Sequence, residues 1–151
     1  MVRQQSGCCV LWLCCAAENI PLHLLLRSWP GLAEALHPEV APLLLVPLLD
    51  DVLARNDAVA ALRRYSLISA PYDGMASVHR LVQAITLAQL PTEAAAAWRR
   101  ATVAVIESAF PDDPEDPAAR PVFIALLSQL NVIKPTEVVA ALRDLPPRSA
   151  R

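Results

Sequence analysis

The sequence predicts a mainly α-helical fold with one small β-hairpin. Hydrophobic residues make up 55% of the 151 residues, above the usual ~45–50%, and much of the excess is alanine and leucine, which favour helices. The chain has only 3 glycines and 5% aromatic residues, and this scarcity argues against a β-sandwich or barrel. Its 14 prolines predict short helices with well-defined ends, because proline disrupts a helix interior.

The first predicted element is an apolar run at residues 8–17, for which two interpretations stay open. The run is about half as long as the ~20 residues that cross a bilayer as a helix. It fits a buried helix that is apolar on every side. It also fits the core of an export signal, because Arg3 precedes it and the small Ala16 and Ala17 end it. Since Arg3 is the only basic residue before the run, we favour the buried helix.

All four cysteines lie in this run, at positions 8, 9, 14 and 15. No later cysteine can pair with them, so the sequence does not predict a disulfide framework. Zinc sites ordinarily combine two ligand pairs, and no second pair follows Cys9 and Cys14. His23 and His37 are too far apart to supply it. We therefore expect no metal site, and we interpret the cysteines as buried thiols in a reducing cytoplasm.

Three helices followed by a hairpin give the topology of a winged helix. After the apolar run, Pro21 suits the first turn of a second helix, and Asn56 or Asp57 can cap a third. Two short strands are then expected near residues 66–70 and 75–78, on either side of a turn that contains proline, aspartate and glycine. This order predicts a winged-helix-like helical domain.

A further helix is expected to begin at about His79 and to end at Pro91. Its apolar residues recur at helical spacing, which predicts one buried face. The residues expected on that face are Val78, Leu81, Val82, Ile85 and Ala88.

The rest of the chain predicts connector helices beyond the winged-helix-like domain, which we place at residues 1–90. Residues 91–110 form a connector helix with two apolar faces, which implies packing on both sides. An acidic, proline-rich linker at residues 111–121 separates it from a C-terminal helical pair at residues 122–145. Residues 146–151 are expected to fray.

No segment predicts catalysis by the chain alone. A P-loop requires G-x-x-x-x-G-K-[ST], and the only lysine, Lys134, has no glycine near it. Ser66, Asp73 and His79 can be written as a catalytic triad, but no nucleophile elbow accompanies them. Pro114 interrupts the acidic residues at 112–116, and a proline flanks them on each side, so they fit a solvated linker better than a calcium loop. We expect no catalytic residues and no cofactor bound by the chain on its own.

Several segments of the sequence together resemble a known family. Leu11–Cys14, Ile20–Leu22, Ala61–Ile68, Ser77–Gln83, Trp98 and Phe110–Pro114 carry the resemblance. The series resembles the winged-helix and connector segment that follows the nucleotide-binding domain in NB-ARC (STAND-type) ATPases of actinomycete type, which continue into tetratricopeptide repeats. It covers residues 8–117. The resemblance implies a non-catalytic regulatory module, as a fragment that lacks the P-loop domain.

Val78-His79-Arg80 is the most specific part of this resemblance. It aligns with the Met-His-Asp signature of NB-ARC proteins, although Val78 replaces the methionine and Arg80 replaces the aspartate. In the family the histidine meets the β-phosphate of ADP held by the ATPase domain, so the resemblance implies His79 as the cofactor-binding residue. An imidazole N–H is able to donate to a phosphate. The alternative is a structural histidine that caps a helix or rests on the wing.

The resemblance also implies the partners of the chain. These are a nucleotide-binding domain with ADP or ATP, in the same chain or another, and a helical repeat domain, in the cytoplasm and away from any membrane. The alternative function is a small winged-helix DNA-binding regulator, because Arg63 and Arg64 occupy what would be its recognition helix. The net charge of −2 and Asp73 in the wing argue against nucleic acid.

Overall fold

The structure is a computed structural model, and it describes residues 10–26, 50–69 and 72–145. Within these ranges the chain is mainly helical and has one small two-stranded antiparallel sheet. The predicted fold class is therefore confirmed. Cys8, Cys9 and the tail predicted to fray at residues 146–151 lie outside the described residues.

The apolar N-terminal segment lies in the core of the protein. Residues 10–13 are helical, and all side chains from Val10 to Cys15 are buried. Trp12 is the largest of the fully buried side chains among the described residues. These positions agree with the interpretation of the apolar run as a buried helix.

A two-stranded sheet connects the chain after this helical segment to the predicted hairpin. The strand β1 (Ile20–Pro21) pairs antiparallel with β2 (Met75–Ala76). Just after β2, Val78 forms a single antiparallel bridge with Ile68. The two predicted hairpin segments therefore meet, but through one bridge only, and the regular pairing of β2 is to β1. The sequence analysis did not identify β1, because two residues are too few to show the alternation of a strand.

A tight turn closes the hairpin at Asp73 and Gly74. Both residues have positive φ angles, 52° and 74°, and the flanking Tyr72 and Met75 exchange two backbone hydrogen bonds of 2.9 Å. Positive φ at both central residues defines a type I′ turn, for which Asp-Gly is a preferred sequence. A side chain at position 74 would also collide with His23, because its Cβ would lie 2.9 Å from the His23 Nδ1.

The helix α1 (Leu22–Leu25) begins directly after Pro21, as the sequence predicted. The next described helix, α2 (Val52–Arg64), is tied to the end of α1, since the guanidinium of Arg55 donates to the Leu26 carbonyl. This contact holds α2 against the part of the chain that follows the sheet.

The start of α2 corrects one prediction. Asp51 is the N-cap, rather than Asn56 or Asp57. Its carboxylate accepts hydrogen bonds of 2.8 Å and 3.3 Å from two backbone N–H groups of the first turn. Those donors have no partner within the helix, so the helix begins after Asp51 and runs through both predicted caps.

The helix α3 (Arg80–Gln89) presents a different face to the core than the sequence predicted. Leu81 and Ile85 were expected to be buried, but their side chains are 61% and 50% exposed. The other three positions differ among themselves: Val78 is buried, Val82 is half-buried and Ala88 is exposed. The predicted inner face is therefore wrong. The reason is Gln83, whose amide hydrogen-bonds to the N-terminal segment and turns a polar side of α3 inward.

The helix α4 (Thr92–Ala109) is buried on two faces, as predicted for the connector helix. One face, which includes Trp98 and Ile106, packs into the main core with the N-terminal segment. The other face packs through Val103 into a second cluster with Ile133 and Ala141. The connector helix thus joins two layers of the structure.

The helices α5 (Arg120–Leu130) and α6 (Pro135–Asp144) form the predicted C-terminal pair, which begins slightly before the predicted start at residue 122. Both contact α4. A proline stands in the first turn of each, where its missing N–H costs no helical hydrogen bond. Leu126 of α5 belongs to the same core as the N-terminal segment, so residues assigned to separate predicted regions share one core.

The predicted acidic linker lies between α4 and α5. Its side chains from residue 112 to residue 118 are exposed. The rings of Phe110, just before the linker, and Phe123, in α5, pack with their centroids 5.0 Å apart. This ring contact joins the end of α4 to α5 across the linker.

None of the helices in the described ranges is long and apolar enough to cross a membrane by itself. The pair α5 and α6 passes the same test of length and composition when taken together, but the two helices meet at an angle of 113°.

The two-sided burial of α4 leads to a prediction for stability. We expect Ile106→Ala to lower the free energy of unfolding by about 2–5 kcal/mol, because Ile106 is 0% exposed and truncation leaves a cavity. The matched control is Ile124→Ala on α5, where the side chain is 60% exposed and the expected change is within about 0.5 kcal/mol. Urea unfolding followed by circular dichroism measures both. Equal losses for the two variants would contradict the packing of α4.

Candidate functional site

His79 stands at the start of α3 as its N-cap residue. Its side chain is exposed, and its Nδ1 accepts a hydrogen bond of 3.3 Å from the backbone N–H of Leu81. A neutral imidazole that accepts at Nδ1 carries its proton at Nε2. The ring therefore offers an N–H donor to solvent, at the helix end where the backbone dipole favours an anion.

The structure does not bring His79 together with the other two residues of the triad that the sequence suggested. Ser66 and Asp73 are exposed turn residues with positive φ angles of 55° and 52°. Among the residues that the structure describes, His79 donates or accepts no side-chain hydrogen bond with either of them; its side-chain partner is Leu81. No contact between a nucleophile and a base is formed there.

Arg80, the first residue of α3, forms an exposed ion pair with Glu18. Its Nη2 lies 2.7 Å from the Glu18 Oε1, and the two side chains are 78% and 62% exposed. An exposed pair of this kind contributes little to stability. It does place the guanidinium between the start of α3 and the end of the N-terminal segment.

A cleft of about 270 Å³ opens beside Arg80, and we call it the arginine cleft. It lies where the N-terminal segment, α3, α4 and the loop before α6 come together. Its lining residues are Leu13, Cys14, Cys15, Arg80, Gln83, Ala84, Leu87, Arg99, Val132 and Ile133.

Sequence reasoning missed this cleft. Arg99 gave one available signal, because it interrupts an apolar stripe on α4 between Ala95 and Val103, both of which are buried. In the structure Arg99 is about one-third exposed, and its Nη1 lies 3.5 Å from the Glu137 Oε1 on α6. The guanidinium of Arg99 therefore lies in the cleft, between α4 and α6, and is partly exposed to solvent.

The two described cysteines are free and buried. Burial raises the pKa of the Cys14 thiol from an ordinary value of 9.0 to about 11, against smaller opposing effects of a hydrogen bond with Thr102 and of the Arg99 charge. Burial also raises the pKa of Cys15, whose thiol contacts the Leu11 carbonyl at 3.6 Å. Both thiols are therefore neutral at physiological pH.

Two carboxylates of the acidic linker form local hydrogen bonds. The side chains of Asp113 and Asp116 each accept a hydrogen bond of 2.9 Å, from the N–H groups of Glu115 and Ala118. These are Asx-type turns, in which the side chain stabilises the backbone two residues on. Across the described ranges, no group of three or more histidine, cysteine, aspartate or glutamate side chains is arranged to hold a metal ion.

Arg63 and Arg64 form the last turn of α2 and are exposed. Positive charge is favourable at this end of a helix, where the backbone dipole is negative. Asp73 lies exposed at the tip of the hairpin turn. The two arginines are thus accessible, while the tip of the hairpin carries negative charge.

Comparison with known proteins gives no match: no family model, curated protein or solved structure is significantly similar to the chain. Two features of the described residues remain as candidate sites. One is the exposed Nε2–H of His79 at the start of α3, and the other is the arginine cleft.

The buried thiols lead to a prediction for pH dependence. The unfolded thiol loses its proton near pH 9, whereas folded Cys14 keeps it until about pH 11. We therefore expect the contribution of Cys14 to stability to be complete below about pH 9 and to fall by about 1.4 kcal/mol per pH unit between about 9 and 11. Urea unfolding at several pH values tests this.

The control for this experiment is Cys14→Ala. Between about pH 9 and 11, the free energy of unfolding of the variant should fall less steeply with pH than that of the wild type, by the slope that one titrating group contributes. This difference is expected whatever the stability of the variant at neutral pH. Identical slopes for the variant and the wild type would show that Cys14 titrates alike in the folded and unfolded states.

Proposed function

We propose that the chain is a non-catalytic regulatory and interaction module that works with a nucleotide-binding domain of NB-ARC type, in the same chain or another. The observation that carries this proposal is the state of His79. Its Nδ1 is occupied by the helix cap, so the Nε2–H is left to donate outward from an exposed position. A phosphate held by a partner domain is a suitable acceptor for that donor.

The order of elements supports a winged-helix origin for this site. In the described chain, helical residues 10–13 lead into β1, followed by α1, α2, the bridged Ile68, the Asp73-Gly74 turn and β2. The strand β2 pairs with β1, and the chain just after β2 forms the bridge to Ile68. Helices closed by a small wing are what the resemblance to NB-ARC proteins implies.

The start of α3 favours an anion as the partner of His79. The first backbone N–H groups of a helix point outward along its axis and attract negative charge. At α3 the His79 side chain binds one of them, from Leu81, and its own Nε2–H is a further donor at the same end of the helix. In the proposed assembly, His79 and the N-terminal end of α3 would therefore both contact the β-phosphate of ADP.

The nucleotide itself would be held by the partner. The sequence contains no P-loop motif, and its single lysine, Lys134, is the N-cap of α6 rather than part of a phosphate-binding loop. We therefore propose that ADP and ATP belong to the assembly, with a helical repeat domain as a further partner. The proposed location is the cytoplasm, where nucleotides are abundant and thiols stay reduced.

Substitution of His79 tests this proposal. In the chain joined to an NB-ARC nucleotide-binding domain, His79→Ala should weaken ADP binding by about 1.5–3 kcal/mol, the usual value of a hydrogen bond to a charged group. His79→Asn should weaken ADP binding similarly, because its shorter side chain keeps the cap but does not reach as far. Calorimetric titration with ADP measures the affinities.

Two comparisons separate this role from a structural one. In the chain alone, His79→Ala should cost about 0.5–2 kcal/mol of stability, whereas His79→Asn should cost little, since asparagine is a good N-cap. Arg100→Ala, at an exposed position of α4, is the control for ADP affinity. If ADP bound equally well to all four joined proteins, His79 would be a helix cap only.

A second candidate function is DNA binding by a winged helix, which the exposed Arg63 and Arg64 favour. The net charge of −2 and the exposed Asp73 at the wing oppose it. We expect at most weak binding that disappears as salt is raised, because nonspecific contacts are electrostatic. A gel-shift assay with mixed DNA sequences at physiological salt tests this. Submicromolar, sequence-specific binding that Arg63→Gln abolishes would favour the DNA-binding function instead.

A further inference from the structure

The arginine cleft combines an apolar floor with charged walls. Leu13, Leu87 and Ile133 supply apolar surface from three different parts of the fold, and Val132 extends it to the exposed edge. At about 270 Å³, the cleft is smaller than the ~300–1,000 Å³ of pockets that bury drug-sized ligands. It therefore fits a small molecule with a short apolar part.

The charged side chains that line the cleft are both arginines. Arg80 and Arg99 line it from two helices, and no acidic side chain is among the described residues of its lining. Each arginine has a glutamate partner outside the lining, Glu18 for Arg80 and Glu137 for Arg99. Each of these ion pairs occupies one terminal nitrogen of a guanidinium that has five N–H donors, so donors remain for a second anion.

The thiols and the amide in the cleft add no negative charge. Burial raises the pKa of Cys14 to about 11 and also raises that of Cys15, so both are neutral at physiological pH. The amide nitrogen of Gln83 already donates to the carbonyls of Leu13 and Cys15, at 2.8 Å and 2.7 Å. These bonds hold the side of α3 that forms one wall, so the cleft is a preorganised feature of the fold.

We propose that the arginine cleft binds a small organic anion, a carboxylate with a short aliphatic chain. The carboxylate lies between the guanidinium groups of Arg80 and Arg99, which suit its planar geometry. The aliphatic chain lies on Leu13, Leu87 and Ile133. His79 is not among the residues that line the cleft, so this proposal does not depend on the proposed phosphate contact of His79.

Hexanoate is the probe for this site, with hexylamine and hexanol as matched compounds that have the same number of carbon atoms, one with a positive and one with a neutral head group. Calorimetric titration and ligand-observed NMR on the full chain measure binding. We expect hexanoate to bind one to one, with a Kd on the order of 0.1–1 mM as befits so small a ligand. Hexylamine and hexanol should bind at least about tenfold more weakly, since a neutral or positive head group loses the charge-assisted bonds.

Variants with opposite expected signs locate the binding. Arg80→Gln and Arg99→Gln should each weaken hexanoate binding by about tenfold or more. Glu18→Gln and Glu137→Gln should instead tighten it a few-fold, because each removes a nearby negative charge and releases a guanidinium. Arg100→Gln, next to Arg99 but outside the lining, is the control and should leave the affinity unchanged.

The variants at Glu137 and Arg99 also distinguish a direct effect on binding from an effect on folding. Both remove the same ion pair, so a loss of binding caused by a weakened fold would appear in both. Binding that is lost in Arg99→Gln and gained in Glu137→Gln supports the proposal. Absence of hexanoate binding, equal affinity for hexylamine, or equal effects of Arg99→Gln and Arg100→Gln would overturn it.

Discussion

The amide of Gln83 links α3 to the N-terminal helical segment, and the orientation of α3 follows from that link. Its nitrogen donates to the carbonyls of Leu13 and Cys15, which lie at the end of a helical turn where backbone acceptors have no partner within the helix. An acceptor left unpaired there would be costly because the segment is buried. The helix therefore turns Gln83 inward, which places Arg80 at the cleft and His79 at the surface.

Elements whose signal lies within a few adjacent residues could be predicted from the sequence. The Asp73-Gly74 turn depends on φ preferences of two residues, and the two apolar faces of α4 depend on helical periodicity alone. The strand Ile20–Pro21 could not be predicted, because a strand of two residues is defined only by the partner across the sheet. The N-cap Asp51 was missed because nearby Asn56 and Asp57 carry the same local signal.

Periodicity shows which residues of a helix share a face, but not which face is buried. At α3 the apolar stripe through Leu81 and Ile85 suggested the wrong face, because the hydrogen bonds that determine the buried face are those of Gln83. These bonds reach carbonyls far away in sequence. The arginine cleft was missed for the same reason: its charges come from different helices. His79 could be proposed from sequence because a motif marks it, and the alternative role as a helix cap, which the sequence also suggested, is confirmed by the hydrogen bond from the Leu81 N–H.

The close approach of Gly74 to His23 has a consequence for how this protein can vary over evolutionary time. A methyl group at position 74 would meet the imidazole at 2.9 Å, in a backbone conformation with φ of +74° that side chains seldom adopt. Shortening the exposed side chain at position 23 would remove the collision but not the second obstacle, because the backbone conformation disfavours any Cβ at position 74. Glycine is therefore expected to persist at position 74 among descendants of this chain, even where position 23 varies.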